Sequence, residues 1–395
     1  MPTLDLEVTC PVFDSFRVQQ VGGMFDVPLA QRAKEHFKVE LPEWLMEDRG
    51  SKTGQRADWQ IGLIVGPSGS GKTTVARALF GERVYRPRDW PPDRAVIDGF
   101  GQRPIKDITH LLTAVGFSSP PSWIKPYRVL SNGEQFRCDL ARALMNDEAR
   151  MTNDEREDAS SFVIRASSFP VVVFDEFTSV VDRNVARVVS AAIAKGIRGG
   201  RIGCRFVAVA CHYDIAEWLA PDWVLDMATG NFQRRSLRRP PIDLQLVRCR
   251  RGAWRLFARH HYLSGQLPQY VRCFLALWEG MPVAFCATVS LIGRKDRWRI
   301  SRVVALPDYQ GVGIGMAVTE AVAELHRAEG HRVNLTGSHP AVIAHCRRSP
   351  RWKTVGVKKT GGQRVKQFIK NYRGSTGRAV VSFEYVGNRE QRSED

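Results

Sequence analysis

The sequence predicts an α/β chain of two modules: an N-terminal α/β domain built on a phosphate loop, then an α+β domain with a mixed central sheet. Three observations carry this. An apolar run, Ile61-Gly62-Leu63-Ile64-Val65, feeds the octapeptide Gly66-Pro67-Ser68-Gly69-Ser70-Gly71-Lys72-Thr73, and a helical pattern opens at Thr74. A second strand, 302–306, feeds the turn Gln310-Gly311-Val312-Gly313-Ile314-Gly315 and a helix with apolar residues at Val318, Ala321, Val322 and Leu325, one amphipathic face. The charge balance also changes along the chain. Residues 236–395 hold 28 Lys+Arg against 11 Asp+Glu, whereas residues 1–235 hold 30 of each. All of the net +17 therefore lies in the C-terminal part, which marks that module as the one that meets a polyanion.

A chain of 395 residues with 43% hydrophobic content is long enough for two cores. The basic stretch Arg234-Arg235-Ser236-Leu237-Arg238-Arg239 ends in Pro240-Pro241, which stops helix and central strand alike. The expected division is 1–235, a linker at 236–241, a second domain at 242–386 and a frayed tail at 387–395. The acidic stretch 153–161 reads as an exposed loop. No apolar run approaches the length of a membrane span, and Met1 to Cys10 has no basic leader region. Eight scattered cysteines without a C-x-x-C pair suit a reducing cytoplasm and no metal cluster.

Each motif has a chemical reason. In the octapeptide, Gly66, Gly69 and Gly71 let the backbone curl so that N–H groups, including those of Ser68 and Thr74, face phosphate oxygens. Lys72 adds a point charge near the terminal phosphates, and Thr73 offers a hydroxyl to Mg²⁺. A plain glycine turn is the bland alternative, but Lys and Thr in register argue against it. Downstream, Leu130-Ser131-Asn132-Gly133-Glu134-Gln135 precedes a helical segment at 136–145. The buried strand Val171-Val172-Val173-Phe174 ends in Asp175-Glu176, followed by Ser179-Val180-Val181-Asp182. Another apolar strand, 205–210, ends at Cys211-His212.

In this order the motifs resemble those of the ABC-type ATPases, over most of residues 1–235. The resemblance implies ATP and Mg²⁺ as ligands. Asp175 would hold Mg²⁺ with Thr73, Glu176 would polarise the attacking water, and His212 would sense the γ-phosphate. Ser131 and Gly133, in the signature loop, would meet ATP held by a second protomer, so a homodimer is implied. Asp182 would follow the Walker B strand, and Gln102 is the glutamine-loop candidate. Phe13, Phe16 and Phe25 are alternatives for stacking on adenine. Asn132 departs from the usual glycine of the signature pair, an acidic insert occupies 150–169, and only 59 positions separate Lys72 from Ser131. That short span implies a reduced helical subdomain and a cytoplasmic switch or mechanical ATPase rather than a transporter.

The second turn resembles motif A of the GNAT acyltransferases, a match running over roughly 241–386. Strands at 332–335, 354–357 and 379–385 fit the same pattern. The resemblance implies that Gln310, Gly311, Gly313 and Gly315 grip the pyrophosphate of acetyl-CoA or another acyl-CoA, and that Val304 and Leu306 line its path. Candidate proton handlers are His260, His261, Tyr262, His339, His345 and Cys346. His261 and Tyr262 follow an expected amphipathic helix at 253–259, and His339 stands where such a fold opens its cleft.

Acyl-CoA alone does not call for +17. Arg294-Lys295-Arg297-Arg299, Arg347-Arg348-Arg351-Lys353 and Lys358-Lys359-Arg364-Lys366-Lys370 are dense clusters, interleaved with Trp298, Trp352 and Phe368. One such cluster is ordinarily a solvated face; three in one module suggest a surface that tracks phosphodiester, with aromatics to stack on unpaired bases. The stretch His260-His261-Tyr262-Leu263 with Ser338-His339-Pro340 resembles Mom-type phage enzymes that modify adenine in DNA. The expected function is ATP-linked acyl transfer to an amino group on DNA or RNA (tRNA included). Two alternatives stay open: an ATP-gated nucleic-acid clamp with a non-catalytic C-terminal module, and a protein or small-molecule acetyltransferase with a regulatory ATPase.

Overall fold

The computed structural model describes residues 2–27, 34–47, 59–148, 170–234, 237–261, 266–291, 293–358 and 379–387. Tyr262, the acidic insert 150–169, the basic run 359–370 with Phe368, and most of the tail lie outside the described residues. In chain order the elements are β1 (Thr3–Thr9), α1 (Phe16–Phe25), β2 (Lys34–Glu40), α2 (Glu43–Glu47), β3 (Ile61–Val65) and α3 (Lys72–Phe80). Next come α4 (Ile105–Ala114), α5 (Pro120–Trp123), α6 (Asn132–Glu148), β4 (Val171–Phe174), α7 (Arg183–Arg198), β5 (Arg205–Ala210), α8 (Ile215–Leu219), β6 (Trp223–Asp226) and β7 (Asn231–Arg234). The remainder is β8 (Gln245–Cys249), β9 (Arg272–Trp278), β10 (Met281–Leu291), β11 (Arg294–Ala305), α9 (Ile314–Ala328), β12 (Arg332–Gly337), α10 (Pro340–Arg348), β13 (Trp352–Lys358) and β14 (Val380–Tyr385).

These elements form two compact units that do not follow chain order. The first comprises residues 1–88, 142–181 and 197–239; the second comprises 89–141, 182–196 and 240–395. The helical segments around α4, α5, the start of α6 and most of α7 thus group with the C-terminal residues.

The first unit is built on a five-stranded sheet in the order β4-β5-β3-β6-β7. Its first four strands are parallel, and β7 closes one edge antiparallel to β6. β3, β4 and β5 are buried along their whole length, the uniform apolar signature of a sheet covered on both faces. Gly62 in β3 has a packing reason: a Cβ there would fall 2.1 Å from the Trp223 indole. Parallel strands align their carboxyl ends at one edge, which is where open α/β sheets place their ligands.

The second unit carries a seven-stranded sheet in the order β13-β14-β12-β11-β10-β9-β8. Among the described residues only β11 and β12 pair in parallel; every other neighbouring pair is antiparallel. The β11–β12 ladder is short, running from Arg297↔Arg332 to Ile300↔Leu335. At that level β11 bulges, because Ala287 of β10 faces Arg302 and Thr288 faces Ile300, leaving Ser301 as the extra residue. A bulge bends a strand and ends its pairing. Beyond it the β11–β12 pairing stops, leaving the carboxyl ends of this parallel pair unjoined at the β11–β12 crevice.

The expected helix at 253–259 is instead two 3-10 turns, Arg251–Leu256 and Ala258–His260. Trp254 and Phe257 are buried and three positions apart, so a three-residue turn eclipses them on one face against Phe285. Among the described residues no helix is long and apolar enough to cross a membrane.

One buried histidine makes the second unit sensitive to acid. His326 of α9 is 1% exposed, meets the Thr288 hydroxyl at 2.9 Å and stacks on Trp298, which also meets the Arg272 guanidinium and His331. Burial and then Arg272 push its pKa down to about 4. The unfolded chain binds a proton at this imidazole near pH 6.5 and the folded chain does not, so stability falls as pH drops from 6.5 towards 4. The loss reaches up to about 3 kcal/mol. Thermal melts should show this acid limb, and His326→Gln should flatten it; an unchanged limb in the variant would count against this account.

Candidate functional site

The nucleotide-type site of the first unit grows from β3. Gly69 and Gly71 adopt φ of 79° and 81°, left-handed conformations that only glycine takes without strain. A Cβ on Gly71 would fall 2.4 Å from the Phe37 ring, so an aromatic from β2 floors the loop. Nothing in the sequence singled out Phe37, which sits in a strand with alternating charges. Phe13, Phe16 and Phe25, the adenine candidates, are all exposed.

Lys72 begins α3, is buried, and its Nζ donates to the Pro67 carbonyl at 2.7 Å. Thr73 Oγ1 donates to Asp175 Oδ1 at 3.1 Å. A hydroxyl and a carboxylate so paired are the hard oxygen donors that Mg²⁺ prefers. Ser70 Oγ is buried without a hydrogen-bond partner, an orphan that a phosphate oxygen would satisfy. The residues present therefore fit a magnesium nucleotide.

Past Asp175 the chain turns sharply. Glu176 and Thr178 have positive φ, 53° and 67°, conformations rare outside glycine and concentrated at functional sites. The turn is held in place: Phe177 N donates to Val209 O of β5, and Ser179 Oγ donates to Glu176 Oε2 at 2.6 Å. Ser179 also lies 4.0 Å from Cys211 Sγ, which brings the end of β5, where His212 follows, alongside this turn.

The second unit holds the remaining motif residues. Ser131 and Glu134 form a capping box on α6: Glu134 Oε2 accepts from Ser131 N, and Ser131 Oγ lies 3.4 Å from Glu134 N, which donates to it. Helix-start amides with an exposed serine can meet an anion. Asp182 caps α7 by accepting from Asn184 N and Val185 N. Gln102 is exposed in a groove shared with Arg94, Asp98 and Arg103.

The second glycine turn sits at the mouth of the β11–β12 crevice. Gly313 caps α9 with φ 105°, and Gly311 has φ 91°. Val304 is buried with Phe285 and Phe257, and Leu306 packs on the same cluster, so their side chains belong to the core. Gly315 is open enough that its nearest neighbour, Val303, lies 3.9 Å from an added Cβ. Gln310 does not point into solvent. Its Nε2 donates to Ala305 O, and its Oε1 accepts from Ser118 N at 2.8 Å.

The imidazoles separate clearly. His339 caps α10, its Nδ1 accepting from Ala341 N and its Nε2 meeting Ser118 O at 3.2 Å. These partners assign the proton to Nε2, while burial pulls the pKa down. His261 is buried beside Trp254. His260 accepts from Arg259, and burial lowers its pKa. His345 pairs with Glu320 at 2.8 Å. Burial pushes the Cys346 thiol up to about 12, so it is inert as a nucleophile near neutral pH.

The cationic clusters are partly spent. Arg351 binds Glu320, which also accepts from Trp352 Nε1. Trp352 is buried against Tyr385 and cannot stack on a base, contrary to the reading of its position among cations. Trp298 is likewise engaged by His326 and Arg272. Arg347, Arg348, Lys353 and Lys358 remain exposed on α10 and the edge strand β13. Among the described residues no three His, Cys, Asp or Glu side chains converge on a metal site.

Residues 243–345 match the family model described as the acetyltransferase (GNAT) family, so a GNAT-family domain lies in the C-terminal part of the chain. No curated protein matches the chain. Among solved structures, an IAA acetyltransferase from Bacillus cereus ATCC 14579 is 13% identical, covering 36% of this chain and 99% of its own, at a TM-score of 0.29. An acetyltransferase of Bacillus subtilis in complex with CoA is 11% identical, covering 37% and 98%, at 0.29. A bacterial ABC transporter cassette solved as a dimer is 15% identical, covering 43% and 82%, at 0.32. The reading of each unit therefore rests on its own motifs and topology.

Proposed function

We propose that this chain binds and hydrolyses ATP and moves an acyl group, acetyl in the simplest case, from acyl-CoA to an amino group on a nucleic acid. The observation that carries it is the pairing, in one chain, of the Lys72–Thr73–Asp175–Glu176 constellation with a glycine turn at the mouth of the β11–β12 crevice. The ATPase part works as a cytoplasmic dimeric switch.

The first unit supplies the hydrolytic groups. Mg²⁺, held by Thr73 and Asp175, would neutralise charge on the terminal phosphates. Lys72 orients those phosphates, and Glu176 holds the attacking water and takes its proton. Its positive φ and the Ser179 contact fix its direction.

In the second unit the amine lone pair attacks the thioester carbonyl, the C–N bond forms, and the C–S bond breaks. The thiolate departs with a proton, and the amine loses one. Free N–H groups at the start of α9 suit the pyrophosphate. His339 carries a proton on Nε2 just past β12 and is held neutral by burial, which suits it to stabilise the departing thiolate by a hydrogen bond while the proton shed by the amine ends on the thiol. An exocyclic base amine is a weak nucleophile, so most of the acceleration comes from juxtaposing the two reactants.

The acceptor class is argued from charge. The first 235 residues are neutral and the rest carry +17, with Arg347, Arg348, Lys353 and Lys358 exposed together near one sheet edge. A surface of this kind binds phosphodiester by releasing counterions. The test incubates the full chain with acetyl-labelled acetyl-CoA, Mg²⁺ and ATP, offering duplex DNA, single-stranded DNA, tRNA or protein in turn. Label in a nucleic-acid fraction, falling steeply with added salt, is expected. Label confined to protein or small amines would overturn the acceptor assignment.

A further inference from the structure

The crevice beyond the bulge in β11 is closed by a segment of the same compact unit. Ser118 spans its two arms: the backbone N–H donates to the Gln310 side chain on the β11 arm, and the carbonyl meets His339 Nε2 on the β12 arm. Two residues earlier the chains touch backbone to backbone. A Cβ on Gly311 would fall 2.7 Å from Gly116 Cα, and one on Gly116 would fall 2.8 Å from Gln310 O. From α7, Lys195 Nζ donates to Val312 O, and a Cβ on Gly313 would fall 2.7 Å from that Nζ. The loop expected to grip pyrophosphate is therefore covered at Gly311 and Gly313, and both polar arms of the crevice are spent on Ser118.

The same segment connects to the start of α6. Arg137, fully buried, donates through Nη1 to Gly133 O and lies 3.9 Å from Asp308, just ahead of the glycine turn. Its Nε lies 3.7 Å from where a Gly116 Cβ would stand. Yet Nε and Nη2 have no hydrogen-bond partner. A buried guanidinium with two unmet donors, facing Asp308 at 3.9 Å and the charges of Glu134 and Asp182 without a hydrogen bond to any of them, is poorly compensated. An arrangement of that kind is easily exchanged for one that offers a better anion.

We propose that Gly116–Ser118 is a gate over the acyl-CoA crevice, and that ATP phosphate arriving at Ser131 and Gly133 opens it through Arg137. This rests on the acyl-CoA and ATP readings above. Negative charge at the start of α6 competes with Asp308 for Arg137, the support under Gly116 loosens, and Ser118 releases Gln310 and His339. His339 Nε2–H then becomes available to the departing thiolate. In the closed state CoA affinity is reduced by the fraction of molecules that are open. Linkage demands that CoA tighten ATP by the same factor.

The test titrates coenzyme A into the full chain by calorimetry, with and without Mg²⁺ and ATP, using Glu176→Gln to preserve the nucleotide. CoA affinity should rise at least tenfold with ATP, and ATP affinity should rise equally with CoA. Gly116→Ala, whose Cβ has no room against Gln310, should bring CoA affinity without ATP close to the ATP-bound value; Asp308→Asn should do so in part. Should Gly116→Ala fold poorly, hydrogen exchange on Glu176→Gln decides: the Ser118 amide should lose protection when ATP is added. CoA binding that ignores ATP, with Ser118 equally protected, overturns the gate while leaving acyl-CoA binding intact. No CoA binding in any state or variant overturns the acyl-CoA reading, and the gate falls with it.

Discussion

Glu176→Gln should bind ATP as the parent does and hydrolyse it about 10²–10⁴-fold more slowly, the usual worth of a positioned general base. The substitution keeps the shape of the side chain, and its amide oxygen still accepts the Ser179 hydroxyl that Glu176 Oε2 accepts at 2.6 Å. The turn should survive, because it is held by Phe177 N on Val209 O and by the buried Phe177 ring rather than by the charge. What is lost is the carboxylate that takes a proton from water. Phosphate release and equilibrium ATP binding on the full chain check this together. A variant that hydrolyses at the parental rate would place the base elsewhere; one that no longer binds ATP would mean Glu176 is structural.

Gly313→Glu should weaken coenzyme A binding at least about a hundredfold while sparing ATP hydrolysis. Gly313 has φ 105° and caps α9, ahead of the helix-start amides. The substitution adds a negative charge where an anion is expected, worth ~1 kcal/mol of repulsion at 4 Å in water and ~4 kcal/mol at the effective dielectric of a protein surface. The middle of that range amounts to about two factors of ten. Calorimetry with coenzyme A reads the first effect, and phosphate release reads the second. Loss of ATP hydrolysis as well would contradict independent chemistry in the two units; undiminished coenzyme A binding would remove this turn from the site.

What could be read from the amino-acid sequence follows a physical pattern. Local geometry was legible: Gly69 and Gly71 take positive φ, Lys72 and Thr73 turn back onto Pro67 and Asp175, and Asp175 follows a buried strand. The parallel and mixed sheets were also legible, from apolar runs and glycine turns. Contacts made by the lack of a side chain were not. Gly116 reads as a turn glycine after α4, yet it lets two backbones touch at Gly311, and no composition shift announces that 89–141 and 182–196 group with the C-terminal residues. The bulge at Ser301 is equally silent, because it is a property of register rather than of residue type. Apolar residues three apart fit α and 3-10 turns alike, so Trp254 and Phe257 suggested the wrong one. Trp352 looked like a stacking platform because charge surrounds it in sequence, whereas it is the buried first residue of an otherwise exposed strand and packs against Tyr385.

The central claim is that this chain joins an acyl group to an amine of a nucleic acid. Mass spectrometry of nucleosides, digested from DNA and RNA after incubation with the full chain, acetyl-CoA, Mg²⁺ and ATP, tests it most directly. The expected result is one nucleoside heavier by a single acetyl group, absent with Gly313→Glu. Unmodified nucleosides throughout, alongside steady release of free coenzyme A into a protein or small-amine product, would contradict it.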